Sequence, residues 1–448
     1  MKKLLEKLHT RLGDFWWYSL MIFMAARLAD CLNVFVGLWL VPKYVPPDEL
    51  GAVMPLVQFA NFLAIPAAVF ASTFRNELTD LAIRHEFGKM KTLMRSVFVA
   101  TAAFFFLAII ICHFLLPHFL IRIRIAEGSL GMLILVASFL GTTAPVFSNA
   151  LQSLKKFKAT SLISLVGAPV RFITMIVMMP FRAISGYFVG QASVPAFSIA
   201  ASVIALRKEL SVPAEPYWTN TAVKHFTKLF LILSIGATIG AFSELVPQTI
   251  IRQRLPELDS ATYYMVTRFS DIAGFLYAAL FVTIFPFAAE LGKNGRSTLP
   301  LILKSAVAIF CFNAPLALFF TIFGKTILSL LPNGSLYCDY WWAIPWLIGI
   351  VTIQQFTYLY TTSELALCHL KNMWLFSPCA LLYACTMLFV TGYGYFTNYL
   401  PNWAINFFSA HNIRTLADIL MWFTAYQLIR VILCIIDYRW RYSRHGNR

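Results

Sequence analysis

The chain has 448 residues, of which 59% are hydrophobic and only 12% are charged. Soluble domains carry about a quarter charged residues, so a water-soluble fold of this length is excluded, because it could not cover so much apolar surface. The formal net charge of +16 would suit a nucleic-acid-binding protein, but its distribution along the chain argues against that class.

Apolar runs of membrane-spanning length follow one another through most of the chain. They are continuous rather than alternating, which indicates helices instead of barrel strands. The pattern predicts an all-α membrane protein with about twelve transmembrane helices in two six-helix lobes. The predicted spans are 15–41, 50–74, 93–116, 129–154, 159–180, 184–206, 226–251, 263–289, 300–323, 343–366, 373–396 and 415–437.

The basic residues are distributed unevenly between the loops. Of the 36 Lys and Arg residues, 24 fall at the N-terminus or in and next to the loops after even-numbered spans, 8 in the opposite loops and 4 well inside spans; the 24 include Arg95, Lys228 and Lys304, which lie in the first turns of the spans that follow. By the positive-inside rule, this predicts a multi-pass protein of the cytoplasmic (inner) membrane with both termini cytoplasmic. The basic residues are expected to contact anionic membrane lipids, and nucleic acid is not an expected partner.

The longest predicted cytoplasmic break lies near the middle of the chain, at residues 207–225. We therefore expect an N-terminal lobe at 1–206, a cytoplasmic linker at 207–225 and a C-terminal lobe at 226–448. Residues 397–414, before the last span, are consistent with a short interfacial helix. No loop is long enough to hold a soluble catalytic domain, so the sequence does not predict an enzyme.

A loop motif occurs twice, about 210 residues apart, each time before a long apolar helix. The first copy is PDELGA at 47–52, and the second is PELDSA at 256–261. The same shift pairs Phe59 with Phe269. In a membrane protein, an internal repeat is typical of a transporter whose site lies between its halves.

Several charged residues fall inside the predicted spans. A charge at mid-bilayer costs about 2.5–3.5 kcal/mol on insertion scales, so it usually faces a partner or water. Two arginines have an aspartate three residues later, which places both groups on one helical face. The candidate substrate-binding residues are Arg27, Asp30, Arg171, Glu244, Arg268 and Asp271.

Two interpretations of these charges remain open. In the functional one, they line a hydrated cavity between the lobes, where arginines bind an anionic substrate through paired hydrogen bonds. In the structural one, they form local salt bridges that hold helices in register. Arg430 is expected to extend to the inner headgroups. The polar stripe on the tenth span contacts substrate or joins helices; it comprises Gln354, Gln355, Tyr358, Thr361 and Thr362.

Motifs for metals and nucleotides were not found. The eight His residues show no metal-ligand spacing, and there is no Walker GxxxxGK[ST] motif. No DxD motif of a glycosyltransferase occurs either. We therefore expect no cofactor and no resident metal.

Two stretches resemble a known family. Residues 40–51 (LVPKYVPPDELG) resemble its proline-acidic-glycine turn between spans one and two. Glu244, residues 263–269 and residues 285–287 resemble its region around spans seven and eight. On these stretches, nearly the whole chain resembles the polysaccharide-transporter (O-antigen flippase) branch of the MOP exporter superfamily.

The resemblance implies a V-shaped pair of six-helix bundles that opens alternately to each side of the membrane. It also implies transport of a lipid-diphosphate-linked oligosaccharide from the inner to the outer leaflet, and cavity arginines, which would be Arg27 and Arg268. The chain departs from the family pattern where Ala261 and Thr262 replace the glycine usual near the second turn. A twelve-span chain also differs from the fourteen-span arrangement of lipid II flippases.

The leading hypothesis is therefore a flippase of polysaccharide or lipopolysaccharide biosynthesis. Its expected partners are the lipid-linked oligosaccharide, membrane lipids, glycan polymerases and a coupling ion, H⁺ or Na⁺, acting through Asp30, Glu244 or Asp271. One alternative is an ion-coupled multidrug or organic-cation antiporter of the same superfamily, which would favour an acidic cavity. Another is a membrane-embedded glycan-modifying enzyme.

Overall fold

The computed structural model describes residues 24, 27–125, 129–293, 297–367, 371–392, 401–402 and 413–445. Throughout these ranges the regular elements are helical, and none is a strand. The fold is all-α, as the continuous apolar runs predicted. The predicted interfacial helix at 397–414 lies almost entirely outside the described residues.

Short helices precede the first long one. The chain forms α1 at 27–35, a π-helical turn at Val36–Leu40, α2 at Val41–Tyr44 and α3 at Pro47–Leu50. The helices that follow are α4 (Val53–Ile83), α5 (Phe87–Arg122), α6 (Ser129–Ser153), α7 (Phe157–Ala205), α8 (Arg207–Leu210), α9 (Asn220–Arg254), α10 (Glu257–Lys293), α11 (Leu299–Ser329), α12 (Ala343–Ala366), α13 (Lys371–Gly392) and α14 (Leu416–His445).

By length and composition, five helical stretches in the described part of the chain could each cross a membrane. They overlap six of the predicted spans, because the stretch Phe157–Ala205 covers two of them. They are Phe87–Phe114, Leu130–Ser153, Phe157–Ala205, Leu299–Ser329 and Leu416–Arg439.

α7 contains two antiparallel helical arms. Its backbone is non-helical at Arg182 and Ala183, where Ala183 has a φ of 30°. Beyond this turn the chain folds back so closely that a Cβ on Gly186 would lie 2.7 Å from the backbone oxygen of Met178. The arms match the separate spans predicted at 159–180 and 184–206. A glycine is needed at 186 because backbone atoms there cannot move aside for a side chain.

The described contacts divide the chain into two compact units. The first comprises Met1–Val36 and Leu56–Ala241, and the second comprises Gly37–Pro55 and Phe242–Arg448. The segment Gly37–Pro55 includes the end of the first predicted span and yet packs in the second unit. The lobe limits expected from the sequence stay a prediction.

In the first unit, an apolar core joins the ends of α4, α5 and α6. Leu78, Leu93, Leu151 and Leu206 are each almost completely buried there. Leu206 directly follows the second arm of α7, so the core also holds the chain where the linker begins. This packing fixes the helix ends on the side predicted to be cytoplasmic.

In the second unit, α12 packs against α10, α11 and α14. The buried amide of Asn313 on α11 donates to Thr352 Oγ1 at 2.9 Å and to Gln355 Oε1 at 3.1 Å. Gln355 in turn donates to the carbonyl oxygen of Ala273 on α10 at 2.9 Å. These hydrogen bonds join three helices through groups that would otherwise be buried without partners.

The two copies of the repeated loop touch within the second unit. α3 packs on α10, and a Cβ on Gly51 would lie 2.7 Å from the Cβ of Ser260. The loop between α11 and α12 packs against the same region. There Asn333 donates to the carbonyl oxygen of Pro42 at 2.9 Å, and Tyr340 donates to Asp259 Oδ1 at 2.5 Å.

Candidate functional site

Arg27 and Asp30 form an ion pair on α1. Arg27 Nη2 lies 2.9 Å from Asp30 Oδ2, and the two side chains are 24% and 34% exposed. The helical spacing of three residues brings them together, as the sequence predicted. Both side chains therefore remain partly exposed on the first unit.

Arg268 and Asp271 form the second pair, on α10. Arg268 Nη1 lies 3.1 Å from Asp271 Oδ2, with side chains 22% and 45% exposed. The guanidinium also donates to Met54 Sδ at 2.9 Å and stacks over the Tyr264 ring, 5.3 Å from its centroid. Arg268 is thus held on several sides, while Asp271 remains the more exposed partner.

Arg171 lies inside the antiparallel α7 hairpin. It donates to Gln191 Oε1 at 3.3 Å, and Gln191 Nε2 donates to Tyr187 Oη at 2.8 Å. Phe172, the next residue, makes an edge contact with Phe35, which ends α1. Gln191 is not among the residues predicted from the sequence. Its spacing of four residues from Tyr187 is the signal that could have revealed it.

Glu244 on α9 is exposed. Arg430 lies close enough for its positive charge to attract the Glu244 carboxylate. The Arg430 guanidinium stacks over the rings of Tyr358 and Tyr426, 5.4 and 5.5 Å from their centroids. The sequence suggested only that Arg430 reaches the headgroups, and it did not indicate these ring contacts. Tyr426 precedes Arg430 by one helical turn, which is the signal that was available.

The polar stripe of α12 divides between the two interpretations. Gln355 is buried and joins helices, which is the structural role. Gln354 and Tyr358 are half-buried, and Gln354 Nε2 donates to Tyr358 Oη at 2.9 Å. Tyr358 lies beside Arg430, and the side chains of Gln354 and Tyr358 are only partly covered.

Arg252 comes one residue after the seventh predicted span, so the sequence predicts a loop residue there, whereas the structure places it within a helix. α9 continues through Arg254, and Arg252 is only 1% exposed. Its long stem and charged end are enclosed by the second unit. A hydropathy pattern ends a span at a charge, whereas the helix continues because neighbouring segments cover this side chain.

The six candidate residues fall in both units. Arg27, Asp30 and Arg171 belong to the first unit, whereas Glu244, Arg268 and Asp271 belong to the second. The structure brings the partners of each Arg–Asp pair together. That all six face a single cavity stays a prediction. Among the described residues, no group of three His, Cys, Asp or Glu side chains could hold a metal ion.

The fold and the charged helices together define a class: an all-α membrane fold with arginines inside its apolar helices. No protein-family model matches the sequence, and no curated protein sequence matches it.

Solved structures share the fold at low sequence identity. A MATE protein in its straight conformation is 12% identical with a TM-score of 0.63, over 96% of this chain and 95% of that one. The lipid II flippase MurJ in an inward closed conformation is 11% identical with a TM-score of 0.61, over 94% of this chain and 87% of that one.

A third similar structure is a MOP superfamily transporter from Pyrococcus furiosus, described by a reverse polarity of its binding pocket that suggests a different function. It is 12% identical with a TM-score of 0.56, over 95% of this chain and 94% of that one. At such identities the likeness establishes the fold, which is the one predicted, and leaves the cargo undecided.

Proposed function

We propose that this chain is an alternating-access flippase that moves a lipid-diphosphate-linked oligosaccharide across the cytoplasmic membrane. The observation that carries the proposal is the pair of partly exposed Arg–Asp ion pairs, Arg27–Asp30 in the first unit and Arg268–Asp271 in the second. Both pairs lie in helices of a mostly apolar chain. A charge within a membrane helix costs free energy and therefore usually has a partner or a functional role.

The ion pairs suit a cargo that carries phosphate groups. In each pair the aspartate neutralises the arginine at rest, which lowers the cost of keeping it in the membrane. An arriving diphosphate offers more oxygens than one carboxylate and accepts paired hydrogen bonds from a guanidinium. It can therefore replace the aspartate as partner, while the lipid tail stays in the bilayer.

The structural likenesses support a transporter. MurJ is named a lipid II flippase, and the Pyrococcus furiosus structure is described by the polarity of its pocket. If pocket polarity separates functions on this fold, the arginines of this chain favour an anionic cargo over the organic cations of a multidrug antiporter. Catalysis by a glycan-modifying enzyme has no support among the described side chains.

The proposal also includes a coupling ion, partner enzymes and a direction of transport. A coupling ion, H⁺ or Na⁺, would act through the carboxylates of Asp30, Asp271 or Glu244. Glycan polymerases would use the delivered oligosaccharide in polysaccharide or lipopolysaccharide biosynthesis. The orientation with both termini in the cytoplasm would place loading at the inner leaflet.

The test is transport of a fluorescent lipid-diphosphate oligosaccharide by the purified protein in liposomes, read as headgroup accessible at the opposite leaflet. Arg27→Ala and Arg268→Ala are each expected to slow transport about tenfold or more, because each removes charge-assisted hydrogen bonds to the cargo. Lysine at either position should retain part of the rate, since it keeps the charge but not the planar fork.

The matched control is Arg182→Ala. Arg182 is exposed at the turn of the α7 hairpin and belongs to neither ion pair, so its loss should leave the rate within about twofold. Normal transport by both alanine variants at the same protein level would remove the site. Efflux of a cationic dye, with no movement of the lipid diphosphate, would instead favour the multidrug antiporter.

A further inference from the structure

Gly37 lies beside the aliphatic part, or stem, of the Arg268 side chain. It is buried in the π-helical turn Val36–Leu40. A Cβ on Gly37 would lie 2.5 Å from Arg268 Cδ and 3.0 Å from Arg268 Cγ, and 3.6 Å from the hydroxyl of Tyr264. Any residue other than glycine would therefore compete with Arg268 for the same space.

The tip of Arg268 is held by the same segment that contains Gly37. Met54, whose Sδ accepts a hydrogen bond from Arg268 Nη2 at 2.9 Å, also belongs to Gly37–Pro55. The stem thus passes the backbone at Gly37, and the guanidinium ends between Met54, the Tyr264 ring and Asp271. This one segment contacts Arg268 at both ends of its side chain.

The backbone at Gly37 is itself unusual. A single π-helical turn contains one residue more than an α-helical turn needs, and such turns are rare and frequent at functional sites. No positive φ requires a glycine at this position, so the requirement comes from space alone. The unusual turn and the missing side chain coincide where an intramembrane arginine passes.

We infer that Gly37 is a positioning residue for Arg268. By lacking a side chain, it lets the arginine stem lie against the turn and so places the guanidinium beside Asp271, where it remains partly exposed. This inference rests on the proposed function only where it assigns Arg268 an anionic ligand. A methyl group at 37 would displace a flexible side chain rather than backbone, so the chain should still fold.

A double-mutant cycle on thermal stability tests the inference without reference to transport. Gly37→Ala is expected to lower the melting temperature of the purified full-length protein when residue 268 is arginine. In the Arg268→Ala background, the same substitution should shift it no more than the control Gly349→Ala does. Gly349 is exposed on α12, and a Cβ there meets nothing within 4 Å.

The outcomes of the cycle are distinct. Equal shifts in both backgrounds would overturn the positioning role, because the cost would then come from the backbone. If Gly37→Ala alone yields no folded protein, recovery of folded protein by the double variant supports the role. Failure of the double variant as well contradicts it.

A binding measurement separates this inference from the proposed function. The probe is a lipid-diphosphate oligosaccharide, with the same lipid carrying a neutral headgroup as its comparison. Gly37→Ala should weaken binding of the diphosphate probe about tenfold, and should add nothing once Arg268 is alanine. A coupled melting cycle with unchanged probe binding in both single variants would keep the positioning role and overturn the diphosphate cargo.

Discussion

Two tyrosines three residues apart illustrate how one hydroxyl group can help or harm stability. Tyr340 donates to Asp259 Oδ1, and this hydrogen bond, together with burial, raises the pKa of its phenol to about 12. The neutral phenol is therefore the favoured form, and its contribution to stability is complete below the ordinary pKa of about 10. That contribution is lost only as the pH rises through about 12.

Tyr340→Phe is expected to lower the free energy of unfolding by about 1 kcal/mol, because a hydrogen bond to a carboxylate is lost at a partly exposed position. The loss should be the same at about pH 6 and at about pH 9, since the phenol stays protonated at both. Melting of the purified protein in detergent at the two pH values measures it.

Tyr337→Phe is the matched control. Tyr337 is fully buried, and its hydroxyl has no hydrogen-bond partner among the described residues. Removing that hydroxyl should leave stability unchanged or raise it. A larger loss from Tyr337→Phe than from Tyr340→Phe would contradict this account of the loop.

At the scale of elements, the linker after α8 is docked rather than free. Lys91 Nζ donates to the carbonyl oxygen of Val212 at 3.0 Å, and Thr92 Oγ1 donates to that of Glu215 at 2.6 Å. Tyr217 donates to Glu77 Oε2 at 2.9 Å. Burial, followed by the hydrogen bond to this carboxylate, raises the pKa of Tyr217. The linker segment 212–217, called the strap below, is thus bound to α4 and α5. The polar composition of the linker did not indicate these contacts.

Gly88→Leu is expected to displace this strap. A Cβ at 88 would lie 2.8 Å from the backbone oxygen of Pro213 and 2.8 Å from Glu215 Cγ, and the amide of Glu215 donates to the Gly88 oxygen at 3.3 Å. Hydrogen exchange of the Glu215 amide should become about tenfold faster, because its hydrogen bond to the Gly88 carbonyl oxygen opens.

Gly141→Leu is the control for this substitution. Gly141 lies on α6 in the same unit, and a Cβ there meets nothing within 4 Å. It should leave exchange in the linker unchanged. Equal exchange in the wild type and Gly88→Leu would show that the strap does not depend on the close approach at Gly88.

At the scale of the whole molecule, the uneven distribution of 24 against 8 basic residues predicts the orientation in the membrane. Green fluorescent protein fused after residue 448 should fluoresce, because it would fold in the cytoplasm. Alkaline phosphatase inserted at Asn333 should be active outside, and the same enzyme inserted at His85 should be inactive. The opposite activities at these two sites would reverse the proposed direction of loading.

Much of the helical framework could be predicted from the sequence. The spans expected at 129–154 and 300–323 lie close to α6 (Ser129–Ser153) and α11 (Leu299–Ser329). A continuous apolar run identifies a helix without knowledge of its neighbours, because backbone groups in a bilayer must bond within their own segment. The two Arg–Asp contacts were predictable for a related reason, since a spacing of three residues is local geometry.

The contacts between distant segments could not be predicted in this way. Nothing in the apolar pattern indicates that Gly37 lies against Arg268, that Arg252 is buried, or that Arg430 stacks on the Tyr358 ring. Each of these depends on which helix faces which, and that is decided by how side-chain shapes pack rather than by the composition of one segment.

The sequence by itself therefore determined that the chain is a helical membrane protein and that each Arg–Asp pair shares one helical face, because hydropathy and helical spacing are local properties. Only the tertiary structure decided that residues 37–55 pack with α10 and that a glycine there makes room for an arginine stem. The reason is physical: close packing depends on the three-dimensional fit of segments that are far apart in the chain.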